Sequence, residues 1–296
     1  LSFLRNALAA GLLSSVLFGV LGSVVTVKRV AGLAGAISHA VLGGIGMALY
    51  LSATGILPGF PPIAGAIAFA LAAAVIIGAV SLKAKQREDT VINAIWAIGM
   101  SVGVLFMAKT PGYTDPSAYL FGNILLISTR DLWLLAGLDA VVLALAWRFD
   151  PQIEAASFDE EFARARGVRT DLFFLAILAI TAVAVVLLQT FVGIVMVIAM
   201  LTLPAGTAGY AARSLAGMMV GATALSASFS VAGLGVGWAL DAPTGAVVVV
   251  ASGAVFLGAA AARVIRDQLR GNSRRRGRRN RPRAYSVRRM SPFPRS

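Results

Sequence analysis

Residues 171–210 read DLFFLAILAITAVAVVLLQTFVGIVMVIAMLTLPAGTAGY, and past Asp171 the stretch holds no charged residue. An apolar run of about 20 residues crosses a bilayer as a helix, because a helix satisfies its own backbone hydrogen bonds where there is no water. Two such runs lie back to back here. Only Gln189-Thr190-Phe191-Val192-Gly193 separates them, which reads as a tight outer turn. That pairing sets the fold class as an all-α polytopic membrane protein.

The rest of the chain agrees. It is 58% hydrophobic and 13% charged, whereas soluble domains carry roughly 25% charged residues. Similar apolar runs place nine spans at about 7–27, 31–50, 61–82, 90–108, 132–149, 171–189, 191–210, 214–239 and 244–265, with eight as the alternative count. The first reads as a span, not a cleaved signal peptide, since no small-residue cleavage site precedes a soluble domain. Cysteine is absent, which removes disulfides, thiolate ligands and a cysteine nucleophile.

Basic residues orient the spans. Of 26 Lys and Arg, only Arg5, Lys109 and Arg130 fall in one set of loops. The other 23 fall in the alternate set, which is assigned to the cytoplasm. The expected topology is a multi-pass cell-membrane protein with its N-terminus outside and C-terminus inside. The membrane domain is expected over 1–270. The tail 271–296 has ten arginines and no acid. Such a composition cannot build a core and is expected to be disordered, with anionic lipid as its partner and no specific nucleic acid.

Two connections are long. The outer one, 109–131, contains the short apolar piece AYLFGNIL and is expected to form a hairpin shielded by protein. The inner one, 149–171, reads FDPQIEAASFDEEFARARGVRTD. Ser157 followed by Glu160 forms a capping box, so a helix is expected to start at Phe158. Gly167 suits its stop. Asp159, Glu160 and Glu161 favour the positive helix start, and Arg164 and Arg166 the negative end. Phe158 and Phe162 share one face and call for a partner groove.

Two ionisable residues lie within spans. His39 is the only histidine in the chain and sits in GAISHAVLGG, 35–44. Gly35 and Gly43 flank it by one turn, so open space is expected around the imidazole, a common transition-metal ligand. Gly32, Ala36, Ala40, Gly44 and Ala48 recur every fourth residue, a small-residue stripe that admits a close neighbour. Asp139 could pair with His39, bind a cation or pack. Intramembrane ionisable groups are costly, so function is the default reading for His39, while packing and polar satisfaction is favoured for Asp139. No G-x-x-x-x-G-K-[ST] phosphate loop, G-x-S-x-G elbow or H-E-x-x-H zinc motif occurs, and nothing resembles an enzyme active site.

With the segments laid out, the chain resembles the membrane permeases of the zinc, manganese and iron class of ATP-binding cassette importers. The resemblance covers about residues 5–265 and rests on stretches in order: GSVVTVKRVAGLAGAISHAVLGGIG (22–46), EDTVINAIWAIGMSVGVLF (88–106), PSAYLFGNIL (116–125), SFDEEFARARG (157–167), VGIVMVIAMLTLPAGTA (192–208) and DAPTGA (241–246). It implies a transport subunit that binds no cofactor and is driven by a separate cytoplasmic ATPase. It implies an extracytoplasmic metal-binding protein and a second permease copy. Residues 157–167 match the family's cytoplasmic coupling helix, with Phe158, Asp159, Glu160, Glu161, Phe162 and Gly167 at the ATPase. His39 becomes a transient pathway ligand for a divalent metal, zinc or manganese first and iron third, with Asp139 as a further candidate. The chain departs from the family at Gly35, where many members have an aspartate one turn before the histidine, and at Asn123, where the hairpin carries an acid. The rival expectation is a secondary transporter or channel with His39 and Asp139 as an ion or proton relay.

Overall fold

The computed structural model describes residues 2–83, 88–112, 119, 120, 122, 127–158 and 160–279. The described residues form eleven helices: α1 (Ser2–Val27), α2 (Ala31–Ala53), α3 (Pro62–Lys83), α4 (Glu88–Lys109), α5 (Thr129–Arg148), α6 (Asp150–Phe158), α7 (Glu160–Ala165), α8 (Thr170–Val192), α9 (Ile194–Gly209), α10 (Leu215–Ala239) and α11 (Thr244–Arg279). The chain divides into two compact units, Leu1–Phe256 and Leu257–Ser296. The second contains the continuation of α11 to Arg279.

Each of the nine expected spans falls on a helix, but the count needs correction. Among the described residues, seven helices are long and apolar enough to cross a membrane, and α5 joins them only together with α6, at a bend of 75°. The ninth, α9, has 16 residues and is therefore about 24 Å long, short of the roughly 30 Å hydrocarbon layer. Pro204 lies inside it and removes one backbone donor. Composition showed the apolar runs; it did not show that one would be short and another bent.

α2 is the most enclosed helix. It packs between α3 and α4 and also touches α8 and α9. The small-residue stripe is divided between two neighbours. Gly44 abuts the backbone of Gly65 on α3, and a Cβ on either would collide with the other. On α4, a Cβ at Gly99 would fall 2.6 Å from the Ala40 Cα. Only glycine permits this approach, which brings the helix backbones together. A second grouping sets α1 against α5, α9 and α10.

The outer connection meets the core where it is described. Ile127 is buried, and Tyr119 and Leu120 pack on the main apolar cluster. Gly122 (φ +61°) lies against the backbone of Val192 and Gly193, in the turn between α8 and α9. Asn123 lies outside the described residues. α5 then starts on a reciprocal cap: Asp131 N–H donates to Ser128 Oγ at 3.3 Å, and Ser128 N–H to Asp131 Oδ2 at 3.0 Å. Such a cap is typically worth about 1 kcal/mol.

The inner connection differs from its expected form. A helix, α6, already begins at Asp150, and Ser157 lies inside it. The Ser157 hydroxyl has no hydrogen-bond partner among the described residues, so the expected capping box is not formed there. The start signal that prevailed is Asp150-Pro151, since proline suits the first helical turn where its missing N–H costs nothing. α6 lies as a foot under the bundle. Ile153 joins Val24 of α1, Ile177 of α8 and Leu215 of α10 in one buried cluster.

Candidate functional site

α2 carries His39 on a buried face, 8% exposed. Its Nδ1–H donates to the Gly35 carbonyl at 3.0 Å. That bond fixes the tautomer and leaves the lone pair on Nε2, the form in which imidazole accepts a proton or a metal. The Trp96 ring of α4 lies 4.7 Å from the imidazole, centroid to centroid, tilted by 45°.

The space expected around the imidazole is mostly taken. On the Gly43 side a Cβ would fall 2.9 Å from the Gly99 carbonyl oxygen and 3.2 Å from the Phe69 ring. On the Gly35 side it would meet only Ile198 Cγ2 and Trp96 Cζ3, each at 4.0 Å. So His39 is walled by aromatic and backbone groups, with one accommodating side, at the position where the family acid would stand. Flanking glycines on one helix do not disclose what neighbouring helices put beside them.

Asp139 is 5% exposed, on the buried stripe Leu135, Asp139, Val142 of α5. Neither of its oxygens has a hydrogen-bond partner among the described residues, so no hydrogen bond joins it to His39. Among the described residues no group of three or more His, Cys, Asp or Glu could hold a metal ion. Among the described residues, the His39 imidazole is therefore not part of a multi-ligand metal cluster.

The second candidate element is α7. Asp159 lies outside the described residues, as do the side chains of Phe158 and Glu160. Glu161 and Phe162 are exposed, Phe162 by 51%, while Ala163 is fully buried. The Arg166 guanidinium sits 4.9 Å from the Phe162 ring centroid, within cation–π range. The helix stops as the sequence indicated. Gly167 has φ +83°, its N–H donates to Arg164 O at 2.9 Å, and Val168 N–H reaches Ala163 O at 3.0 Å. This is a Schellman stop, and the left-handed backbone there favours glycine. Arg164 then ties α7 to α8, donating from Nε to Thr170 Oγ1 at 2.7 Å and pairing with Asp171 at 2.6 Å. The exposed ion pair orients more than it stabilises. Sequence reasoning found the knob and its stop and missed α6 and the Arg164 tether.

The molecule is thus a helical membrane bundle with a short surface helix between two of its long helices. Residues 1–263 match the family model described as the ABC 3 transport family. The chain belongs to that family. It is 32% identical over 256 residues to a manganese import system permease protein, ScaB, of Streptococcus gordonii, spanning 86% of this chain and 89% of that one. An uncharacterized membrane protein of a Synechocystis strain is 36% identical over 256 residues, again 86% of this chain and 89% of the other. Among solved structures, PsaBC from Streptococcus pneumoniae in complex with Fab superimposes with a TM-score of 0.76 at 30% identity, covering 88% of this chain and 91% of that one.

Proposed function

We infer that this chain is the membrane permease subunit of an ATP-binding cassette importer for divalent metal ions. The observation that carries the reading is the family match over residues 1–263, supported by relatives named for manganese import and manganese transport. Manganese is the first ion to test and zinc the second. A separate ATPase supplies the energy, and an extracytoplasmic binding protein supplies the ion. Two permease copies form the pathway. The basic loops face the cytoplasm, with the N-terminus outside and the arginine-rich 271–296 segment inside, beside anionic lipid. Residues 1–270 form the permease domain.

The mechanism follows from which parts are held and which are presented. ATP binding in the partner must favour one permease orientation over the other, or it shifts nothing. Its movement enters through Phe158, Asp159, Glu160, Glu161 and Phe162, with Gly167 fixing where the knob ends. The foot α6 passes that movement through Ile153 to α1, α8 and α10, which suits rigid-body rocking of helices. His39 offers Nε2 to the passing ion, and a single donor lets the ion leave again. Asp139 is a second polar point in the interior.

The reading is tested by uptake in a transport-deficient host, ion by ion, with the candidate ATPase co-expressed. Manganese uptake that depends on ATP hydrolysis supports it. Uphill transport by the purified chain alone, driven by protons, would overturn it.

A further inference from the structure

A cavity of about 620 Å³ opens at the basic end of the bundle, where α1 and α9 end and α10 begins. Lys28, Arg29 and Arg213 line it, and no Asp or Glu does among the described residues. Arg29 holds a left-handed backbone (φ 59°) in the turn between α1 and α2. The Lys28 ammonium lies 5.5 Å from the Phe174 ring centroid, so its position is tethered. The first turn of the 25-residue α10 reaches the same space through Ser214 and Leu215. Ser214 Oγ accepts from Gly217 N–H at 3.1 Å, while the Leu215 and Ala216 N–H groups have no intrahelical acceptor. The helix dipole adds partial positive charge at that point. Thr26 and Ser157 also line the cavity, and their hydroxyls are buried with no hydrogen-bond partner among the described residues.

Three basic side chains and a helix start, with no acid lining the space among the described residues, suit an anion rich in oxygen. We propose that this cavity binds a phosphate group, contributed either by an acidic phospholipid headgroup or by a soluble phosphate. Its place favours the phosphate class over a carboxylate. The lining comes from the last turn of α1, the end of α9 and the first turn of α10, which together mark the boundary between hydrocarbon and water, where lipid phosphates lie. An occupant would bridge the α1–α2 turn, the α10 start and the end of α6 beside the coupling knob. The site is independent of which metal is carried.

The test uses the full chain with three variants. In the first, Lys28, Arg29 and Arg213 are all replaced by glutamine. In the second, Arg5, Lys109 and Arg130 are, removing equal charge from the opposite set of loops. In the third, Arg29→Lys and Arg213→Lys keep the charge. Native mass spectrometry measures phosphatidylglycerol retained from mixed phosphatidylcholine and phosphatidylglycerol micelles, and equilibrium dialysis measures inorganic phosphate. The cavity triple should retain about tenfold less of one of the two probes, while the opposite-loop triple and the lysine variant keep it. Loss confined to phosphatidylglycerol identifies the lipid source, and loss of inorganic phosphate binding the soluble one. Equal retention of both probes by the wild type and the cavity triple overturns the proposal. So does a cavity triple that loses only its ATPase, since the basic lining would then meet protein acids.

Discussion

The surroundings of His39 and the knob at α7 are built on opposite plans. His39 sits on the most enclosed helix, beside Trp96 and the Gly99 backbone, with Phe69 one turn along at Gly43. Among the described side chains of α7, Ala163 is fully buried while Glu161 and Phe162 turn outward. One region is enclosed within the bundle; the other presents exposed side chains, with the Phe162 ring held beside Arg166. The difference teaches where each should be sensitive. Changes at the enclosed site should act on packing and passage together, and changes at the knob on partnership alone.

The largest effect should come from the knob. Replacing Phe158 and Phe162 with serine removes two aromatic anchors, and buried anchors of this kind carry about 2 kcal/mol or more each. Complex formation with the ATPase should drop about thirtyfold for either anchor alone and on the order of several hundredfold for both, while the thermal unfolding of the permease alone stays put. Intact coupled hydrolysis would sink the assignment and erase the contrast. Next comes Gly99→Leu, which drives a side chain into the α2 backbone. Overpacking costs about 1–3 kcal/mol, read as a lower unfolding temperature in detergent. Gly137→Leu, where nothing lies within 4 Å of the added carbon, is the matched control and should unfold like the wild type.

His39→Ala should lower metal uptake on the order of tenfold, the worth of about 1.4 kcal/mol, with assembly preserved. Unchanged uptake would make the imidazole a packing group and leave the enclosed region without a transport role. Gly35→Asp sharpens the same point. The 4.0 Å clearances to Ile198 and Trp96 admit the new Cβ, so the variant should fold, bind the ion more tightly and release it more slowly in single-turnover uptake. The smallest effect belongs to Asp171→Asn. The Arg164–Asp171 pair is more than half exposed on both sides, so stability should change by less than about 1 kcal/mol, measured by denaturant unfolding.

Much of this contrast could be read from the residues. The apolar runs marked every long helix, and Gly167 marked the end of α7, because both signals are local to the chain. Asp150-Pro151 was an equally local start signal for α6, but Ser157 and Glu160 offered a competing cap, and the tertiary contact of Ile153 with α1, α8 and α10 favoured the earlier start. What the sequence could not disclose was the furniture around His39. Trp96 and Phe69 arrive from other helices, brought close because Gly99 and Gly65 let the backbones touch. Spacing within α2 carries no record of them. The reach of Arg164 to Asp171 likewise depends on how α7 folds back on α8.

The 75° elbow between α5 and α6 has a mechanical consequence. A limb set nearly square to an upright post works as a bell crank: a tug on its free end, along the membrane normal, becomes a torque on the post. Load applied beyond that corner therefore need not slide any span through the lipid. It can turn α5 about its base, and the sharper the corner, the less of the stroke is wasted along the axis.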